Sequence, residues 1–203
     1  MAKGRIANEA ISLLEYGGIL FPDYDKKSRK LIFTDANRNI KLIFVKAVDV
    51  PTYVELGAAD IGVIGKDVML EDPKDVYELL DLSIGKCKLA VAGFPGERLD
   101  RTQLTVASKY PNMAKMHFDQ KGIRTEIIKL NGSVELAPLI GLADCIVDIV
   151  ETGTTLKENG LVVLETIAEV SARLIVNKAS YAMKTKQIQD FIADVKTGLE
   201  VLS

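Results

Sequence analysis

The sequence predicts an α/β fold of two lobes, each built on a mainly parallel sheet with flanking helices, with a cleft between the lobes. Strand-like and helix-like segments alternate over most of the 203 residues, the signature of βαβ units. The run Gly93-Phe-Pro-Gly96 punctuates the chain near its middle. Segments 57–65 and 141–148 share one pattern: glycine, two small or apolar residues, aspartate, then a buried strand. A βαβ plan used in both lobes accounts for that likeness, and ligands of such sheets bind beyond the carboxyl ends of the strands. With the crossing at Gly93, lobe I takes residues 1–92 plus 179–203 and lobe II takes 93–178.

In chain order, residues 6–16 repeat apolar positions at helical spacing and stop at Gly17-Gly18, a helix terminator. Residues 30–34 and 40–45 are rich in β-branched and aromatic side chains and flank the polar run 35–39, which reads as a strand pair with a turn. Pro51 suits a first helical position, so 52–56 is a short helix closed by Gly57. Residues 61–64 form a buried strand, 86–93 a strand-like apolar run, 104–108 a short strand, 111–122 a helix and 124–129 a strand of alternating polarity. Then come a helix at 134–141, a buried strand at 144–149, a helix starting at 154–159, and strands at 161–170 and 173–177. Ile188, Phe191, Ile192, Val195, Leu199 and Leu202 give 184–202 the stripe of an amphipathic helix.

Composition narrows the function. Lys and Arg (26) nearly balance Asp and Glu (28), so no basic field collects nucleic acid, and anion binding has to be local. Cys87 and Cys145 lie in apolar stretches, where a thiol packs as a small hydrophobe. One His rules out a Cys/His zinc site. The start Met-Ala-Lys-Gly-Arg lacks the apolar core of a signal peptide, and no apolar run approaches the ~20 residues that span a membrane. The expected location is cytoplasmic. The dinucleotide-binding glycine fingerprint and the lysine-bearing phosphate loop are both absent.

The strongest chemical signal is Asp148-Ile-Val-Glu-Thr-Gly-Thr-Thr-Leu156. A helix starting near Thr154 offers unpaired amides and the positive end of its dipole, which attract a phosphate. Gly153 admits close backbone approach, and Thr152, Thr154 and Thr155 supply hydroxyls. The same residues also suit a plain helix cap. Asp148 and Glu151 beside an anion site point to a phosphorylated sugar, whose hydroxyls or divalent metal they would take. Lys3-Gly4-Arg5 precedes the first helix, and Arg29 precedes a strand, where its guanidinium can fork onto phosphate oxygens. Lys66 and Asp67 follow Gly65 at a strand-to-helix junction. His117 lies in a helical stretch, is expected to have no nearby carboxylate to orient it, and receives no role.

Set end to end, Lys3-Gly-Arg-Ile6, Asp49-Val-Pro-Thr-Tyr-Val-Glu55, Gly57-Ala-Ala-Asp-Ile-Gly62, Gly65-Lys-Asp67, Gly132-Ser-Val-Glu-Leu-Ala-Pro138 and the 141–156 run resemble the ATP phosphoribosyltransferase family over essentially the whole chain. The resemblance implies transfer of the 5-phosphoribosyl group of phosphoribosyl pyrophosphate to N1 of ATP, with Mg2+, as the first step of histidine biosynthesis. It implies a two-lobed, periplasmic-binding-protein-like fold. It also implies that Glu151, Thr152, Gly153, Thr154 and Thr155 grip the 5-phosphate, that Asp148 and Glu151 lie near ribose and metal, and that Arg5 and Arg29 contact substrate phosphates. Lys3, Gly4, Lys66, Asp67, Ser133 and Glu135 join the expected substrate-binding set.

The sequence departs from that family at two places. Only Met1 and Ala2 precede Lys3, where a short apolar strand is usual, and Lys46 stands where Arg is usual, without its planar fork. The length resembles the short form, which pairs with a histidyl-tRNA-synthetase-like regulatory subunit in a hetero-octamer built on catalytic dimers. A two-lobed solute-binding module is the competing expectation.

Overall fold

The computed structural model describes residues 1–35, 37 and 40–202; Ala36, Arg38 and Asn39 of the expected 35–39 turn lie outside the described residues. In chain order the elements are α1 (Arg5–Tyr16), β1 (Ile32–Thr34), β2 (Lys41–Ile43), a 3-10 turn (Ala47–Asp49), α2 (Val50–Glu55), β3 (Ile61–Gly65), α3 (Lys66–Glu71) and β4 (Val76–Asp81). There follow β5 (Cys87–Gly93), β6 (Gln103–Ser108), α4 (Pro111–Gln120), β7 (Arg124–Lys129), α5 (Leu136–Leu139), β8 (Cys145–Val150), α6 (Thr154–Glu158), β9 (Val162–Val170), β10 (Ala172–Asn177), α7 (Lys178–Met183) and α8 (Thr185–Leu202). Backbone packing divides the chain into unit 1, which is Met1–Met69, Pro73–Gly85 and Ser171–Ser203, and unit 2, which is Leu70–Asp72 and Lys86–Val170.

In unit 1, α1 buries Ala7, Ala10, Ile11, Leu13 and Leu14, the apolar positions of its repeat. They join Phe33, Leu42, Phe44, Leu82, Leu174 and Val195 in one core, to which the rings of Tyr24, Phe33 and Phe44 add edge-to-face and stacked contacts at 5.3–5.9 Å. Its three-stranded sheet runs β3-β10-β4, with β10 antiparallel to both neighbours. Met1 and Ala2 pair with the end of the β2 segment: the Met1 ammonium donates to the Ile43 carbonyl at 2.9 Å, Val45 N–H to the Met1 carbonyl at 3.0 Å, and Ala2 bridges Val45 in parallel. The strand that the sequence leaves in doubt is thus present as one bridge.

In unit 2 a five-stranded sheet runs β7-β6-β8-β5-β9. β6 is parallel to β7 and β8, while β5 is antiparallel to β8 and β9. One face packs Leu89, Val91, Cys145 and Val147 under α4; the other packs Ala90, Ala92, Ile146 and Val150 under α5 and α6.

The α/β class holds, but among the described residues parallel pairing is confined to β6 with its two neighbours and the single Ala2–Val45 bridge. The cause is the same in both units. β3-α3-β4 and β8-α6-β9 are crossover units, and each opens to admit a distant strand between its own two, β10 in unit 1 and β5 in unit 2. The inserted strand runs the other way and hydrogen-bonds on both edges. Those partners also move the crossings. Apart from the brief excursion of Leu70–Asp72 into unit 2, they fall at 85–86 and 170–171, where the sequence puts them at 92–93 and 178–179, because β5 belongs to unit 2 and β10 to unit 1.

Candidate functional site

In unit 2, the parallel strands β6, β7 and β8 end at one edge of the sheet, and two candidate loops leave from there. After β8, Val150 is buried while Glu151 and Thr152 are exposed, and Gly153 turns the chain with φ 74° and ψ 5°, left-handed values that favour glycine. Gly153 is also the N-cap of α6, and it has no side-chain oxygen to spend on the first-turn amides. Thr152 partly replaces that oxygen: its Oγ1 accepts from Thr154 N–H at 3.3 Å and lies 2.9 Å from Thr154 Oγ1. Thr154 and Thr155 are exposed, whereas Leu156 anchors the turn in the alanine-rich core. The loop therefore presents hydroxyls, amides and a favourable dipole end to solvent.

Asp148, on the face of β8 that carries Ile146 and Val150, is half-buried, and its Oδ1 accepts from Ile149 N–H at 2.8 Å. The second loop follows β7. There Ser133 adopts φ 47°, an uncommon conformation for a side-chain-bearing residue, and its carbonyl accepts from Leu136 N–H at 3.1 Å. Glu135 is the N-cap of α5. The structure thus gathers Ser133, Glu135, Asp148, Glu151, Thr152, Gly153, Thr154 and Thr155 at the carboxyl ends of β7 and β8. Among the described residues no cluster of three or more His, Cys, Asp or Glu side chains that could hold a metal ion is found.

In unit 1 the basic segments come together. Lys3 Nζ donates to the Ser28 carbonyl at 2.6 Å, which ties Lys3-Gly4-Arg5 to Ser28-Arg29-Lys30. Gly4, with φ 129°, is the N-cap of α1. Arg5 opens that helix and pairs with Glu9 at 3.4 Å, and Glu9 in turn accepts from Gly85 N–H at 2.9 Å. Arg29 is exposed. Lys46, also exposed, is the N-cap of the 3-10 turn.

Lys66 and Asp67 open α3 directly from β3, with no loop between. Lys66 N–H donates to the Ser171 carbonyl at 3.0 Å, and its Nζ to Glu78 Oε2 at 2.6 Å. Glu78 lies 3.4 Å from Arg173 Nε; Arg173 also pairs with Asp81, whose Oδ1 accepts from Ser171 Oγ at 2.7 Å. Sequence reasoning passes over Glu78 and Arg173. The sequence marks Arg173 as a strand residue, leaves Glu78 unassigned, and cannot say that their segments are neighbours.

His117 requires a correction. Its Nε2 lies 3.3 Å from Glu165 Oε2, a carboxylate 48 residues away in sequence that Lys121 also holds. Burial pushes the Glu165 carboxyl up, but hydrogen bonds from Lys121 and His117 outweigh this and hold it below the usual carboxylate range. Burial, with Asp144 and Glu97 nearby, pushes the Cys145 thiol up to about 12, so it stays protonated and packs as a hydrophobe. Among the described residues no helix is long and apolar enough to cross a membrane.

A profile of the ATP phosphoribosyltransferase family (HisG) matches residues 46–197. An ATP phosphoribosyltransferase of Geobacillus sp. (strain WCH70) is 56% identical over 192 residues, 95% of this chain and 93% of the relative. That of Bacillus velezensis is 55% identical over 200 residues, covering 98% and 94%. Among solved structures, the ATP phosphoribosyl transferase (HisG:HisZ) complex from Thermotoga maritima superposes with a TM-score of 0.85 at 34% identity, over 98% of this chain and 96% of that one. The periplasmic aliphatic sulphonate binding protein SsuA from Escherichia coli gives a TM-score of 0.56 at 12% identity over 78% of this chain and 58% of that one, a likeness of fold alone.

Proposed function

Because the chain belongs to the ATP phosphoribosyltransferase family, we propose that its 151–155 loop grips the 5-phosphate of phosphoribosyl pyrophosphate while Arg5 and Arg29 stabilise the departing pyrophosphate. The reaction is that of the family: N1 of ATP displaces pyrophosphate from phosphoribosyl pyrophosphate, giving phosphoribosyl-ATP in the first step of histidine biosynthesis. The observation that carries the division of roles is the glycine-capped loop after β8, whose amides and hydroxyls face solvent. The solute-binding alternative is not favoured, since its support is a likeness of fold at 12% identity.

N1 of adenine is already a usable nucleophile, so the enzyme's work is to position the two substrates and stabilise the leaving group. Arg5 and Arg29 offer planar forks to phosphate oxygens as charge grows on them. The bond from Lys3 to the Ser28 carbonyl keeps both arginine-bearing segments side by side. Asp148 and Glu151 accept from ribose hydroxyls. Asp148 and Glu151 would be the residues to hold Mg2+, an ion that commonly takes one or two carboxylates plus substrate phosphates, and the bound ion would supply positive charge for the leaving pyrophosphate. Lys3, Gly4, Lys66, Asp67, Ser133 and Glu135 complete the substrate-binding set.

The same reading makes the enzyme cytoplasmic and pairs it with a histidyl-tRNA-synthetase-like regulatory subunit, in a hetero-octamer built on catalytic homodimers. The HisG:HisZ complex of the Thermotoga maritima relative supports that assembly.

The test is to mix the full chain with ATP, phosphoribosyl pyrophosphate and Mg2+ and follow adenine absorbance. Product should form, and Thr155→Val should weaken phosphoribosyl pyrophosphate binding more than ATP binding. No product, with or without the regulatory subunit, sinks the reading; equal losses for both ligands show that the loop has merely collapsed.

A further inference from the structure

The 148–155 segment contains two carboxylates and no cation, yet a sugar phosphate brings about −1.5 to −2 charges at neutral pH. Hydroxyls, amides and a helix dipole answer only part of that charge. The sheet beside the loop supplies more. In the β5–β8 ladder Lys88 stands opposite Val150, the last residue of β8, and Ala90 stands opposite Asp148. Because side chains alternate along a strand, Lys88 lies on the same face as Ala90, Val150 and Asp148, the face that Leu156 of α6 covers. Paired Cα atoms in such a ladder are about 5 Å apart, within reach of a lysine side chain extended toward the start of the loop.

Unit 1 supplies the contrast. Each inserted strand carries a cation at its second residue, Arg173 in β10 and Lys88 in β5. Arg173 stands opposite Ile64, one residue short of the end of β3. Its side chain is only 19% exposed and is held by both Asp81 and Glu78. Lys88 stands one step further out relative to its strand end, is 50% exposed, and pairs at 3.5 Å with Glu169, itself 72% exposed. An exposed pair of that kind contributes little to stability and exchanges readily for a phosphate. Arg173 is locked in its sheet, whereas Lys88 is available.

We propose that Lys88 is a further substrate-binding residue, its ammonium meeting the 5-phosphate of phosphoribosyl pyrophosphate beside the 151–155 loop. The proposal rests on the reading of that loop as the phosphate grip. Binding of phosphoribosyl pyrophosphate, ribose 5-phosphate, pyrophosphate and ATP to the full chain, measured by calorimetry with Mg2+ present, tests it. Lys88→Met should weaken phosphoribosyl pyrophosphate and ribose 5-phosphate about tenfold, the size of one charge-assisted contact, and leave pyrophosphate and ATP unchanged. Lys88→Arg should recover most of the loss. Glu169→Gln should leave ribose 5-phosphate affinity equal or higher.

If Lys88→Met binds ribose 5-phosphate normally while Thr155→Val does not, Lys88 has no part in a grip that is otherwise real. If neither change matters, the loop reading itself fails. A loss in Glu169→Gln as large as that in Lys88→Met would reduce the pair to a structural ion bridge and overturn the proposal.

Discussion

The junctions after β3 and β8 hold the same place in the same plan, yet they leave their helices in different chemical states. β3 runs straight into α3 at Gly65-Lys66, and the first helical amide is already spent on the Ser171 carbonyl at 3.0 Å. After β8, three residues intervene before α6, and the last of them is a glycine cap without a side-chain acceptor. A βαβ plan therefore does not make an anion site by itself. The length of the strand-to-helix loop decides whether the helix start is spent on its own sheet or left open to solvent. The packing differs in step: Gly62 of β3 occupies the place that Ile146 has in β8. A Cβ at Gly62 would stand 2.8–3.1 Å from side-chain atoms of Val54, Ile175 and Val50, so α2 lies too close to its sheet for any larger residue.

The contrast can be broken in several ways. The largest expected effect is in unit 1, which holds the two arginines proposed to stabilise the leaving group: Arg5→Ala and Arg29→Ala should each lower kcat/KM about 100-fold with the thermal midpoint unchanged. A variant of either that keeps near-normal rates removes that arginine from the reaction. Gly62→Ile gives β3 the residue of β8 and should cost about 1–3 kcal/mol by overpacking, read from urea unfolding. Full tolerance would show that α2 moves freely and that the two packings are interchangeable.

In the β8 loop, Gly153→Ala should cost about 1–2 kcal/mol because of the left-handed backbone and weaken phosphoribosyl pyrophosphate more than ATP. Equal weakening would deny the loop its selectivity. The smallest effect concerns Asp60, which stands before β3 as Asp144 does before β8. Burial pushes the Asp60 carboxyl up, but bonds from Ser180 at 2.6 Å and Lys184 at 2.9 Å outweigh it and hold it below the usual carboxylate range. A group depressed in the folded state stabilises above its unfolded pKa of about 4 and loses that contribution as pH falls through the folded value. The thermal midpoint should therefore fall on acidification below about pH 5, and less steeply in Asp60→Asn; an unchanged slope would leave Asp60 without a part in it.

Most segments were legible as helix or strand because their periodicity and punctuation are local: 6–16, 124–129 and 184–202 all come out within a residue or two. What was hidden is pairing. Residues 86–93 and 173–177 read as strands, but a sequence does not say that each is inserted into the other half's crossover, and that insertion both shifts the crossings and makes the three-stranded sheet antiparallel and the five-stranded one mixed. α7 escaped notice because Asn177 caps it through Ser180 N–H at 2.8 Å, a contact within a run too short to show a period. The site divides likewise. The 148–155 loop is contiguous and could be read directly, whereas the link from Lys3 to Ser28, the hold of Glu78 on Lys66 and the approach of Glu165 to His117 span 12 to 48 residues.

The inserted strands also set a timetable for synthesis. β3 and β4 do not pair with each other; each needs β10, which follows the whole of unit 2. Domains usually complete in order as they leave the ribosome at about 5–20 residues per second. Here the half that holds the N-terminus is made first and finished last. Its two flanking strands wait without their central partner while residues 86–170 emerge and close on β5, which arrives ahead of both its neighbours. The nascent chain thus carries unpaired strand edges for several seconds at that rate, and the interval ends only when β10 and α8 have been delivered.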